Sequence, residues 1–176
     1  LAGVVVFTGP IEWAVHLFLL HSDPDSFRAR RLGTGVGHHQ HHLDPPKLEY
    51  LLLTGADAGI FVVVLALSTA VWSVPLLWLS GSAVGIPFLT ALVATYVALA
   101  NYEWTHLLVH TPYRPRTGFY RRLARNHRRH HYRNENYWLG ITSNLGDRIM
   151  GTLPRSRTDV PLSGTASTLG HDGAGT

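Results

Sequence analysis

Residues 58–102 read AGIFVVVLALSTAVWSVPLLWLSGSAVGIPFLTALVATYVALANY and hold no Asp, Glu, Lys, Arg or His. As one helix they would run about 67 Å at 1.5 Å per residue, roughly twice the hydrocarbon core of a bilayer. The stretch therefore predicts two membrane crossings. Ser80-Gly81-Ser82 supplies a break between them, with Gly85 and Pro87 just beyond. The first crossing is expected over about Gly59–Leu79, kinked at Pro75, and the second over about Val84–Tyr102. The alternative is a helical hairpin buried in a soluble core, which such long apolar runs disfavour.

Upstream, Leu1–Leu20 is also apolar, but Pro10, Glu12 and His16 interrupt it. The uncharged part before Glu12 is too short to span alone. It is not a signal peptide, because no basic region opens it and no small-residue cleavage site follows. The chain begins at Leu1 rather than Met, so a preceding segment, even a whole helix, is expected upstream. A re-entrant or interfacial segment is the alternative.

All 15 Lys and Arg lie outside the hairpin, between Arg28 and Lys47 or between Arg114 and Arg157. A hairpin returns to the side it left, so the two basic regions share one face. The positive-inside rule makes that face cytoplasmic. Arg121, Arg122, Arg125, Arg128, Arg129 and Arg133 then serve topology and attract anionic headgroups. A nucleic-acid partner would account for this charge but not for the hairpin, so none is expected. From Arg155 to Thr176 the composition turns to Ser, Thr, Gly and Asp, which predicts a disordered tail. Residues 1–154 remain as one membrane domain. The whole reads as an all-α, integral-membrane protein with a cytoplasmic helical cap.

The chain has 12 His and no Cys among its 176 residues. The missing cysteine excludes disulfides, zinc fingers, cysteine-bound iron–sulfur clusters, thiolate-ligated haem and a thiol nucleophile. The histidines fall into clusters at the membrane boundaries. They are His16 and His21; His38, His41 and His42; His106 and His110; and His127, His130 and His131. On a helix, i and i+4 lie about 40° apart, and i, i+3 and i+4 fall within about 100°. HxxxH and HxxHH can thus each present their imidazoles to one side. His16 and His21 would sit about 140° apart on an ideal helix. They converge only if the helix ends or kinks between them, or if they flank a site.

The hairpin brings all four clusters to one membrane surface. Ten imidazoles exceed the capacity of one ion, which implies two. A nitrogen-rich set suits iron, zinc, copper or nickel and disfavours magnesium and calcium. His39 is a neighbour of the ligands and not counted among them, and His171 stands alone in the tail as a solvated residue. Glu103-Trp104-Thr105-His106 also matches the Glu-x-x-His of carboxylate-bridged di-iron bundles. That class needs a second such motif and two more facing glutamates, which Glu12, Glu49 and Glu135 do not supply. Glu12 and Glu103 each precede a histidine of the set, so either could orient a ligand or simply sit at a helix end.

The set HxxxxH, HxxHH, HxxxH, HxxHH resembles the fatty acid hydroxylase / sterol desaturase superfamily, and within it fatty acid 2-hydroxylases most closely. The likeness runs from about Ile11 to Pro154. It includes Glu12-Trp13-Ala14-Val15-His16, Gln40-His41-His42, Tyr102-Glu103-Trp104-Thr105-His106, Gly140-Ile141-Thr142-Ser143 and Gly146-Asp147-Arg148. The resemblance implies a di-iron centre held by the ten histidines, with zinc able to replace iron during purification. It also implies O₂-dependent hydroxylation of a lipid C–H bond, most readily on a fatty acyl chain at C2, with the active site on the cytoplasmic face. No residue beyond the metal centre is assigned a catalytic role. The family often carries an attached cytochrome b5-type domain, and nothing in these residues resembles one. A separate ferredoxin or cytochrome b5-type protein is then the implied electron donor. The family usually has two hairpins, and the first is incomplete here. A desaturase or a sterol or carotenoid oxidase would use the same centre. A metal transporter would place ligands inside the spans, which hold no ionisable side chain between Ala58 and Tyr102.

Overall fold

In the computed structural model every regular element among the described residues is helical, and these are residues 2–32, 35–53 and 55–171. Leu1 and residues 172–176, the end of the expected tail, lie outside them. The elements are α1 (Ala2–Val15), a π-helical turn (His16–Leu20), α2 (Phe27–Leu32), α3 (Val36–Leu43), α4 (Gly55–Leu79), α5 (Gly85–His110), α6 (Gly118–Tyr132) and α7 (Leu145–Met150), with short 3-10 turns at Leu48–Tyr50 and Arg157–Asp159.

α4 and α5 form the hairpin, and both are long and apolar enough to cross a membrane. Their outer faces stay open: Val71 is 75% exposed and Ile86 80%. A soluble core helix would bury such residues, whereas lipid accepts them. α4 ends in a Schellman turn. Gly81 N–H donates to Trp78 O at 3.1 Å and Ser82 N–H to Leu77 O at 3.0 Å. Gly81 has a φ of 67°, a left-handed conformation that glycine adopts without steric cost. Inside the hairpin, the Thr69 and Thr95 hydroxyls meet at 2.9 Å. Both hydroxyls also sit near the carbonyl one turn back on their own helix, so no buried polar group is orphaned there.

α5 extends past Tyr102 to His110. The first charged residue does not end it, because Glu103 accepts a hydrogen bond from Leu53 N at 2.8 Å and so fastens the foot of α5 to the approach of α4. The HxxxH pair is therefore on the same rigid helix as the second apolar segment.

α1 lies against α5 and α7. The approach to α7 is close enough to demand glycine. A Cβ at Gly146 would stand 2.5 Å from both Gly9 O and Trp13 Cβ. Gly146→Ala must therefore push α1 and α7 apart, at a cost of about 1–3 kcal/mol by the usual range for overpacking. A lower unfolding midpoint in detergent, with helix content unchanged at low temperature, is the expected outcome.

The tail differs from expectation. Residues 155–171 pack back onto the end of α6. Val160 and Ala166 are buried. Arg133 Nη2 donates to Val160 O at 2.8 Å, and Ser163 N–H donates to Arg133 O at 2.8 Å. Thr165 Oγ1 donates to Glu135 at 2.5 Å. A segment this poor in apolar residues cannot build its own core. It is held instead by the polar groups that α6 and the loop after it already present.

Candidate metal centre

Each histidine arrives from a helix for a local reason. The chain widens into a π turn at His16–Leu20, closed by His21 N–H to His16 O at 3.0 Å. An i→i+5 bond stacks residues five apart, so the 140° misfit of an ideal helix disappears. The His16 and His21 rings lie 4.9 Å apart. α3 carries His38, His41 and His42, α5 carries His106 and His110, and α6 carries His127, His130 and His131.

The ten rings separate into two groups of five. His16, His21, His38, His42 and His130 form one; His41, His106, His110, His127 and His131 form the other. Within each group the candidate ligand nitrogens all lie within 4.8 Å of one another. Each HxxHH is shared between the groups. On α3, His38 and His42 go to the first and His41 to the second. On α6, His127 and His131 go to the second and His130 to the first. The i, i+4 pair of each motif serves one group and the i+3 residue turns to the other. The two groups are thereby side by side.

A cation fits this arrangement better than hydrogen bonding does. His127 Nε2 has three imidazole neighbours: His110 Nε2 at 2.8 Å, His131 Nε2 at 3.0 Å and His106 Nε2 at 3.1 Å. A neutral ring nitrogen offers one proton or one lone pair, so it can satisfy one of the three. In the first group His16 and His38 approach at 3.2 Å, and His42 and His130 at 3.3 Å. Imidazoles on one ion at about 2.0–2.1 Å stand roughly 3 Å apart, the spacing seen here. Burial also favours the ligating form. It pushes His21, His38, His42, His127, His130 and His131 well below the usual imidazole range, and the neighbouring rings push the same way. His41 is driven down to about 2, again chiefly by burial. The rings are neutral at pH 7, with lone pairs free for metal.

The first group is braced by backbone. His16 Nδ1 bonds Leu139 O at 2.6 Å, His130 Nδ1 bonds Tyr137 O at 3.0 Å, and His42 Nδ1 bonds Ala166 O at 2.8 Å. A bond at Nδ1 fixes the tautomer and turns Nε2 to the centre. The loop carrying the first two carbonyls is itself clamped by two buried carboxylates. Asp147 accepts Leu139 N–H at 2.9 Å, Gly140 N–H at 2.8 Å and Thr152 Oγ1 at 2.6 Å. Glu12 accepts the N–H groups of Ile141 and Thr142 and the Thr142 hydroxyl. Trp138, fully buried, holds a φ of 56° between the two bonding carbonyls. A non-glycine residue kept left-handed costs on the order of 1–3 kcal/mol, which the clamps must offset.

The second group is braced less. The Nδ1 atoms of His41, His106, His127 and His131 are buried without a partner among the described residues.

All ten histidines singled out in the sequence fall into these two groups, and His106 and His110 lie at the end of the second apolar helix. His39 is buried but belongs to neither group. His171 is not a free tail residue. Its ring lies 5.8 Å from that of His39, and its Nε2 lies 3.4 Å from His21 O. Arg148 is exposed, whereas Asp147 acts through the loop. Glu103 touches no histidine by hydrogen bond and holds Leu53 instead. The bracing carbonyls of Tyr137, Leu139 and Ala166 carry no signature in sequence, because a carbonyl belongs to every residue type.

Comparison with known proteins agrees with this geometry. The model of the fatty acid hydroxylase family matches residues 1–152. A dihydroceramide fatty acyl 2-hydroxylase of Arabidopsis thaliana, FAH2, is 31% identical over 86% of this chain and 59% of its own length. A second from the same plant, FAH1, is 28% identical over 88% of this chain and 60% of its own length. The ceramide very long chain fatty acid hydroxylase SCS7 of Saccharomyces cerevisiae is 31% identical over 92% of this chain and 38% of its own length. The chain thus spans less than two thirds of each of these relatives. No solved structure matches it. With a family match over nearly the whole helical region and ten histidines drawn into two groups, the chain belongs to the fatty acid hydroxylase family.

Proposed function

We propose that this chain is the metal-binding core of a membrane-bound, O₂-dependent hydroxylase of fatty acyl chains, acting near the carboxyl end, at C2. The observation that carries this reading is the pair of five-histidine groups, with His16 of the first group lining an apolar cleft. His16, His21, His38, His42 and His130 would hold one ion, and His41, His106, His110, His127 and His131 the other. Two irons are the native metals of this reading, with zinc as a replacement after purification. Bound there, the metal pair supplies the redox chemistry that activates O₂, with one oxygen atom going to the C–H bond and the other leaving as water.

The chain's own residues supply position and dryness. The cleft lies between α1, α4 and α5. Ile11, Val15, Leu65 and Leu99 line it, and His16 and Tyr102 stand at its inner end. The Tyr102 hydroxyl is buried with no hydrogen-bond partner among the described residues. A polar acyl head near the metals would give that hydroxyl a partner. The hydrocarbon tail would then run outward between the helices, excluding water from the reacting carbon. Two electrons enter from a ferredoxin or cytochrome b5-type donor, and two protons come from solvent. The basic residues outside the hairpin support a metal centre on the cytoplasmic face, by the positive-inside rule.

Mass spectrometry of lipids from cells expressing the full-length protein tests the reaction. Acyl chains that gain one oxygen atom are the expected product. Loss of two hydrogens would instead identify a desaturase, and metal flux in vesicles without lipid oxidation would overturn the enzyme reading. Tyr102→Phe is expected to weaken acyl binding by about 5- to 30-fold, the range for one buried hydrogen bond of roughly 1–2 kcal/mol. Metal content should stay unchanged, since Tyr102 is in neither histidine group.

A further inference from the structure

The cleft between α1, α4 and α5 has two unlike ends. At the inner end stand His16 and the unpartnered Tyr102 hydroxyl. At the outer end the rings of Phe7 and Trp72 stack across from α1 to α4, with centroids 5.1 Å apart and planes inclined by 21°. Both rings line the cleft. A chain lying in it would have its polar end at the histidines and its tail directed at an aromatic wall.

The helix sets the distance between those ends. From Phe7 to His16 the rise is about 13 Å at 1.5 Å per residue. A fully extended chain advances about 1.2 Å per backbone bond, so about eleven bonds fill the span. We infer that Phe7 and Trp72 form a length stop, and that the cleft seats acyl chains of about 12 carbons with the terminal methyl against the stacked pair. Longer chains must part the pair or leave the cleft sideways. This inference rests on the acyl-hydroxylase reading and adds chain length to it, with Phe7 and Trp72 as specificity-determining residues. They are far from the histidines, so a change there alters which chain fits without altering what holds the metal.

The test uses the full chain in detergent and a ladder of straight-chain fatty acids with bromine on the terminal carbon, from about 8 to about 20 carbons, which brackets the helix-rise span. Bromine quenches an indole it touches. Quenching should peak near 12 carbons and lose that peak in Trp72→Phe, which keeps a ring but removes the reporter. In competition with unbrominated acids, Trp72→Ala should move the preferred length up by about four carbons, the depth of an indole at 1.2 Å per bond. Phe7→Ala should move it in the same direction, and serves if Trp72→Ala misfolds. Both variants should keep wild-type metal content by elemental analysis. An unchanged length profile in Phe7→Ala and Trp72→Ala, with binding and metal content intact, would overturn the stop and leave the hydroxylase reading standing. Failure of the wild type to bind an acid of any length would overturn both.

Discussion

Replacing His130 with alanine is expected to abolish the proposed hydroxylation and to lower the metal content from two ions per chain to one. His130 is fully buried, its Nε2 lies 3.3 Å from that of His42, and it belongs to the first group alone. The second group keeps all five of its histidines in this variant. His127→Ala should do the converse. Its Nε2 is the point on which His106, His110 and His131 converge, so its loss empties the second group and spares the first. The double variant should bind no metal. Removing one ligand and leaving a cavity also costs stability, yet α4 and α5 contribute no ring to the first group, so the apolar hairpin should still insert in His130→Ala. Membrane fractionation and elemental analysis of the same preparation check both halves. Loss of both ions from His130→Ala would mean that the groups do not load independently.

The second large effect is expected at a residue that touches no metal. Asp147→Ala removes three hydrogen bonds at once, those from Leu139 N–H, Gly140 N–H and Thr152 Oγ1. Two of those donors are buried, and an unsatisfied buried N–H costs about 1–3 kcal/mol. The loop would then relax away from the left-handed conformation at Trp138. Its carbonyls at Tyr137 and Leu139 would no longer hold His130 and His16. Loss of such outer partners typically lowers metal affinity about 10- to 100-fold. The drop should be confined to the first group, because the Nδ1 atoms of the second depend on no carbonyl of this loop. Competitive chelation should therefore strip one ion from Asp147→Ala well before the other. Asp147→Asn keeps an acceptor and should lose less. Equal release of both ions would show that Asp147 supports the fold in general and not the first group in particular.

Much of this architecture is legible in the chain itself. The uncharged run at residues 58–102 sets the hairpin, and Ser80-Gly81-Ser82 marks the turn that closes it. Eight of the ten histidines were recoverable because HxxHH and HxxxH obey helical spacing, and the helices form. The division into two groups was not. It depends on how α3 and α6 face each other, so that the i+3 histidine of each motif crosses to the neighbouring group. The π turn was hidden for a related reason. Nothing in His-Leu-Phe-Leu-Leu-His departs from an α-helical composition, and the widening makes sense only with His38 and His130 in place opposite. The tail misled because composition reports whether a segment can fold alone. Residues 155–171 are held by Arg133, Asn134 and Glu135, and give His42 its brace through Ala166 O.

The most direct test is X-ray absorption at the metal edge on the purified full-length protein, with elemental analysis of the same sample. The expected result is two metal ions per chain, each in a shell of imidazole nitrogens near 2.0–2.1 Å with no sulfur. A single ion per chain at saturation, or a shell made mainly of oxygen, would contradict a centre built from two five-histidine groups.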